Sequence, residues 1–372
     1  MKKAFVFLLI LNFTLSKNAI SQIPTYVWAK TTTGNVESIQ RATVVDAAGN
    51  VFISGVFFGT VDFDPGAGVT NVTPVPYGCN IYIAKYDASG NFLWIKNIPI
   101  IASYGHNSMA IDGSGNIYIT GFFSGTNLDF NPGAGSAFLT SIAGGNDIYI
   151  AKYDNNGNYL WAKSIGSSGS DRGNEILTDP SGNVFVTGNF ASTVDFDPGI
   201  GIANLSASGT LSIFLAKYDC NGNYLWAKNI DGAGSADVRD IALSPTGNIY
   251  LTGNYSASVD FDPGMGISNL TSVGNVDIFF AKYDPVGNLL WAKSIGSTGI
   301  DGGTALAVTA MGDVFITGTF NLTADFDAGA GLMNLTAGIT ANSYITKYDA
   351  SGNYQWVKNY LLIPATLISC LI

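Results

Sequence analysis

All six tryptophans of this 372-residue chain fall in one motif, at Trp28, Trp94, Trp161, Trp226, Trp291 and Trp356, spaced 66, 67, 65, 65 and 65 residues apart. Repetition at a fixed period means one supersecondary unit copied in tandem, each copy burying its apolar face only against its neighbours. Every unit reads in the same order. A short apolar stretch is followed by a run like Gly182 to Phe190 (GNVFVTGNF), then by an acidic excursion such as Asp195-Phe196-Asp197-Pro198-Gly199. A run like Ile213 to Asp219 (IFLAKYD) and one like Tyr224 to Ile230 (YLWAKNI) complete it. β-Branched and aromatic residues dominate these runs, Gly and Asn close them, and helical periodicity is absent, so they are strands.

The turns fix how the strands pair. A type I turn favours Asp or Ser first, Pro second and Gly fourth. Asp179-Pro180-Ser181-Gly182, Ser244-Pro245-Thr246-Gly247 and Asp284-Pro285-Val286-Gly287 follow that rule, and the pattern occurs ten times, with Asn after the Gly at all but Asp313. Two tight hairpins per unit, turning at the same edge, make a four-stranded antiparallel blade; the expected fold is all-β, a β-propeller. The excursion and the blade-to-blade loop should then gather on the opposite face, where binding groups usually sit. The units run over about 32–97, 98–164, 165–230, 231–295 and 296–359, with 24–31 as a leading outer strand. That gives six Trp strands but five of every other element. In propellers a leading outer strand completes the last blade, yet the blade it would complete is not among these five. Residues 360–372 form an atypical apolar tail. Two expectations follow, a larger ring cut short or frame-shifted near residue 359, or a tail that acts as a last strand closing five blades.

Residues 1–22 begin with Lys2 and Lys3, continue with the apolar run Ala4 to Leu11 and end in small and polar residues, the pattern of a cleaved secretory signal. The run is too short for a membrane span, which needs about 20 apolar residues, and no later segment approaches that length. The mature protein is therefore expected to be secreted or at the cell surface, without a transmembrane segment. The formal charge of −10 becomes −13 without the leader, which carries Lys2, Lys3 and Lys17 and no acid. Phosphate backbones would be repelled, which excludes nucleic acid as a partner. Cys79, Cys220 and Cys370 are too few and too scattered for a disulfide framework or a thiolate metal site.

The units resemble the SBBP-type β-propeller repeats of exported bacterial proteins, notably of Bacteroidetes-like organisms. The resemblance rests on Asp179 to Gly188 (DPSGNVFVTG), Ala216 to Asp219 (AKYD) and Gly222 to Lys228 (GNYLWAK), recurring in phase over about residues 24 to 359. It implies a propeller fold and export, and no single activity. The hairpin from Asp219 to Trp226 also looks like the tryptophan-docking motif of quinoprotein propellers, with one residue fewer between Asp and Gly. The cysteine pair and the Glu and Asn ligands of a quinone-bound calcium have no counterpart here, so the likeness implies shared blade packing.

The sharpest candidate site is the excursion: Asp62 and Asp64, Asp129 and Asn131, Asp195 and Asp197, Asp260 and Asp262, and Asp325 and Asp327. Paired oxygens beside a carbonyl-exposing turn could hold Ca2+, which takes six to eight oxygen ligands, although the closing Glu of an EF-hand is lacking. The structural alternative is a type II Pro-Gly turn capped by Asp, with Phe packed between blades. The six tryptophans are expected to be structural, packing between blades. All eleven lysines beyond the leader belong to the repeat, six in the Trp motif (Lys30, Lys96, Lys163, Lys228, Lys293, Lys358) and five in AKYD (Lys85, Lys152, Lys217, Lys282, Lys347). They read as solvated edge charges that discourage sheet aggregation. His106, the single histidine, is a loop residue. Near-identical units favour repeated binding over one catalytic centre. The expected function is therefore a non-catalytic exported scaffold that binds an extracellular glycan or protein through an acidic loop face, with no cofactor except Ca2+ in the site above. The alternative is an extracellular polysaccharide hydrolase or lyase using Asp pairs on that face.

Overall fold

The structure is a computed structural model and describes residues 28–34, 38–74, 79–99, 108–142, 145–338 and 340–360. The leader, His106, Cys370 and residues 361–372 lie outside them. Among the described residues there is no helix, and five antiparallel sheets of four successive strands carry the fold. Blade one comprises Ser38–Val45, Val51–Phe57, Asn80–Tyr86 and Phe92–Ile98. Blade two comprises Ser108–Ile111, Ile117–Phe123, Asp147–Tyr153 and Tyr159–Ile165. Blade three comprises Arg172–Thr178, Val184–Phe190, Ser212–Tyr218 and Tyr224–Gly232. Blade four comprises Ala236–Leu243, Ile249–Tyr255, Asp277–Tyr283 and Leu289–Ile295. Blade five comprises Gly302–Val308, Val314–Phe320, Asn342–Tyr348 and Tyr354–Tyr360, so Tyr360 ends a strand and does not open a tail.

All ten tight turns form as the sequence requires. In each, the fourth-position glycine donates its amide to the first residue's carbonyl at 2.8–3.0 Å. Each of those glycines has a φ of 71–88°, the type I turn with a glycine bulge. The Asn after the glycine has a clear purpose. Asn183 donates its backbone amide to Asp179 Oδ1 at 2.9 Å and its side-chain Nδ2 to Oδ2 at 2.8 Å. Where Thr309 starts the turn, Asp313 replaces Asn and pairs instead with Lys347 at 2.8 Å.

The core lies between blades. Ile148, Ile150 and Ile165 of blade two pack with Val184, Val186 and Phe190 of blade three, all nearly inaccessible. Each such side chain contributes about 1.5–3 kcal/mol by leaving water. The first strands are innermost and pack consecutively from blade one to blade five. No comparable packing among the described residues joins Gly302–Val308 back to Ser38–Val45.

Trp28, Trp94, Trp161, Trp226 and Trp291 lie half-buried over a turn glycine of the following unit. A Cβ on Gly222 would sit 3.1 Å from Trp161, and the Trp161 indole N–H donates to the Cys220 carbonyl at 3.2 Å. The AKYD lysines are not solvated edge charges. Lys85 and Lys152 are buried, and all five ammonium groups lie 4.6–5.6 Å from the centre of an aromatic ring of the second strand. Several also reach the next blade's turn, Lys85 to Asn155 Oδ1 at 2.7 Å and Lys152 and Lys282 to the Cys220 and Ala350 carbonyls at 3.0 Å. The aliphatic stem fills the interface while the charge finds a ring face and a carbonyl.

Candidate functional site

After each second strand the chain reverses through one left-handed residue, Gly59, Asn127, Ser192, Ala257 or Leu322, at φ 54–63°. It then forms a short hairpin, as in Thr193–Asp195 paired with Asn204–Ser206. This hairpin does not project onto the loop face as expected. It folds back along the flank of its blade; in blade four it pairs with the outer strand of blade three, Asp231 opposite Asp260 and Gly232 opposite Val259, and in blade five Asp325 bridges to Gly296. The cause is the central Phe. Phe196 is fully buried against Phe190 and Phe214, with ring centres 5.4 and 4.9 Å away. Its carbonyl accepts the phenol of the AKYD tyrosine, and this lock recurs in all five blades: Tyr86 to Phe63, Tyr153 to Phe130, Tyr218 to Phe196, Tyr283 to Phe261 and Tyr348 to Phe326, at 2.7–3.1 Å. Sequence reasoning gave that tyrosine no role, although its invariant phase with the Phe was the available signal. Tyr218→Phe should cost about 1–3 kcal/mol by orphaning a buried carbonyl, measured by urea unfolding.

The paired acids are turn residues. Asp195 Oδ1 accepts the amides of Asp197 at 3.0 Å and Ala203 at 2.8 Å, and Asp197 Oδ1 accepts the Gly199 amide at 2.8 Å. Asp62 with Asp64, Asp129 with Asn131, Asp260 with Asp262 and Asp325 with Asp327 repeat the pattern. The expected type II turn is not formed, because the glycine after Pro does not take positive φ. The second carboxylate lies instead against the next glycine, and a Cβ on Gly201 would meet Asp197 Oδ2 at 2.1 Å. Four hairpins thus offer two carboxyls, and the blade-two hairpin one carboxyl and the Asn131 amide, each already accepting backbone amides. Among the described residues no three His, Cys, Asp or Glu side chains gather to hold a metal. With these oxygens accepting amides of their own turn, the melting temperature is expected to agree within about 1 °C between excess EDTA and millimolar Ca2+.

Beyond the locked acids, the hairpin tips carry apolar side chains in open solvent. Ile200 and Met265 are fully exposed, Ile202, Ile267, Leu332 and Val69 are 72–80% exposed, and Phe138 is 58% exposed. Val69, Ile202, Ile267 and Leu332 occupy one corresponding place in four of the units, Ile200 and Met265 share a second place in two, and Phe138 stands where the other units carry Asn. Composition could not reveal them, because only the fold shows which aliphatic residues stay outside.

A second cluster sits at the centre of the ring and breaks the repeat. Glu175 and Asp240 occupy the same place on the first strands of blades three and four, where blade two has Ser108. Ser108 Oγ donates to Glu175 Oε2 at 2.6 Å, and Asp240 accepts the amides of Ile241 at 2.8 Å and Leu306 at 2.7 Å. Beside them Asn174 Nδ2 donates to the Val238 carbonyl at 2.9 Å, and Arg239 pairs with Asp237 at 2.6 Å. Burial raises both carboxyls well above the usual range, and the charge of Asp240 raises Glu175 further. Raised folded pKa values mean that the native state binds more protons than the unfolded chain between about pH 4 and 8. Their contribution to stability is complete at low pH and is lost as pH rises through that window. Glu175→Gln should flatten the fall in melting temperature between pH 5 and 8.

A set of four-stranded antiparallel blades stacked around innermost strands is a β-propeller. Residues 160–189 match the SBBP beta-propeller repeat, and the same sequence elements recur in phase in the other units. It is 26% identical to an uncharacterized WD repeat-containing protein of Acanthamoeba polyphaga mimivirus, over 87% of this chain and 28% of that one. It is 30% identical to the regulatory protein FlaEY of Caulobacter vibrioides, over 36% of this chain and 14% of that one. The chain therefore spans less than a third of these relatives' lengths. Among solved structures, a protein of unknown function from Bacteroides caccae aligns at 11% identity and a TM-score of 0.36, over 75% of this chain and 90% of that one. No helix among the described residues is long and apolar enough to cross a membrane.

Proposed function

We propose that this propeller is an exported, non-catalytic scaffold that binds an extracellular polymer, and that the polymer is a protein engaged by the apolar hairpin tips. The observation that carries the reading is the exposure of Val69, Ile202, Ile267 and Leu332 at one place in four units, with Ile200 and Met265 beside it in two, on hairpins whose acids accept amides of their own turns. Repeated exposed apolar side chains on stiff supports mark interaction sites. Locked carboxylates, by contrast, leave few free groups for sugar hydroxyls. The leader pattern at residues 1–22 supports export.

A photo-crosslinking residue at position 265 tests this on intact cells. Capture of a discrete protein, lost when Ile200, Ile202 and Ile267 become serine, is the expected result. Glycan-array binding that survives those substitutions would overturn it. The hydrolase alternative has one supporting observation, the Glu175 and Asp240 pair, whose raised pKa values suit a general acid. Reducing-end release from polysaccharide, abolished by Glu175→Gln, would favour that reading.

A further inference from the structure

The described part of the chain begins in a place that belongs to another blade. The Trp28 indole donates to the Ala88 carbonyl at 3.1 Å and lies over Gly90, where a Cβ would be 3.0 Å from the ring. Trp291 treats Ala350 and Gly352 of blade five in the same way, with a hydrogen bond of 3.4 Å. Five residues on, Thr33 and Gly34 pair with Asp62 and Val61 of blade one, just as Asp231 and Gly232 of blade three pair with Asp260 and Val259 of blade four. Residues 28–34 are thus the outer strand of a blade preceding blade one in the ring. That blade is not blade five, whose outer strand is Tyr354–Tyr360, with Trp356 opposite Lys347.

Blade five shows the complementary gap. Tyr360 is 43% exposed, whereas Ile98, Ile165, Ile230 and Ile295 at the same place are at most 3% exposed. Phe315 and Ile345 are only half-buried, where Tyr250 and Phe280 of blade four are sealed. Beside Trp28 a cavity is lined by Val51, Ile53, Pro65 and Tyr86. In the next two interfaces along, the third strand of the preceding blade fills such space, as Ile148 and Ile150 do against Val184 and Val186.

We propose that the ring is six-bladed and closes with a further repeat of the same type, in line with blade five. That repeat contributes three strands, and residues 28–34 are its fourth. Its first strand covers Phe315, Ile345, Trp356 and Tyr360, and its third strand fills the cavity under Trp28. Blade five cannot close on blade one directly without expelling Trp28 from its place. The curated relatives are several times longer than this chain, which leaves room for such a repeat.

The test is the full chain with a copy of residues 231–283, the first three strands of blade four, inserted after Tyr360. The expected result is a melting temperature several degrees higher, reduced acrylamide quenching of Trp356, and loss of that gain when Trp28→Ala is added. An insert that stays protease-sensitive, with melting and quenching unchanged, would overturn the proposal. So would an uninserted chain that shields Trp356 at low concentration, the mark of closure by five blades. A concentration-dependent dimer of the uninserted chain that shields Trp356 would assign the gap to a second copy and overturn it as well.

Discussion

Trp226→Ala should lower the unfolding free energy by about 3 kcal/mol, near the lower end of the range for buried aromatic truncation because the indole is only half-buried. The ring touches Phe185 edge-on at 6.2 Å within its own blade and lies over Gly287 of the next. Removing it opens a cavity between two blades that neither can collapse to fill, since both are braced by their own hydrogen-bond ladders. Urea unfolding of the full chain measures the loss. Trp356→Ala should cost clearly less, because Trp356 has Phe315 at 6.0 Å but no following blade against its other side. Equal losses for the two variants would show that the interface between blades does not carry the energy.

Gly188→Ala should be more damaging, about 3 kcal/mol or more, and should lower expression as soluble protein. A Cβ at Gly188 would lie 1.9 Å from the Arg172 carbonyl oxygen and 2.9 Å from the Phe214 ring, so backbone would have to move. The glycine exists because the first strand bulges opposite it, Gly173 facing Gly188 and Glu175 facing Thr187 with Asn174 left over. That bulge turns Asn174 toward blade four and aims Glu175 at the ring centre. The substitution should therefore also displace the Glu175 and Asp240 pair, read as a changed pH dependence of melting in whatever folded fraction remains. A variant that melts like the parent would mean that the bulge is adaptable.

How much of this was legible beforehand varies with the range of the interaction. The ten turns were readable because four consecutive residues decide them: Asp accepts from the Asn four residues on, and only glycine tolerates the positive φ between. Strand count per unit and strand order followed from those turns. The acidic excursion was readable as a unit but not as to where it goes. Phe196 needs burial and Tyr218 needs an acceptor, and together they pull the hairpin back onto the flank of its blade and away from the loop face. The lysines misled for a similar reason. A charge in a strand reads as solvent-facing, yet a long stem beside an aromatic ring and a neighbouring carbonyl makes burial favourable.

The repeat, the all-β blade, its tight turns and the count of six outer strands against five of everything else could be read along the chain, because each rests on contacts within one unit. That the paired acids serve their own turns, that apolar tips face solvent and that Glu175 and Asp240 meet at the innermost strands came into view only with the blades packed together. The same is true of the place of Trp28, which lies over Gly90 of blade one as Trp291 lies over Gly352 of blade five. Those facts depend on which unit lies against which, and packing between blades joins residues some 60 positions apart, as Trp28 to Ala88 and Trp161 to Cys220 do.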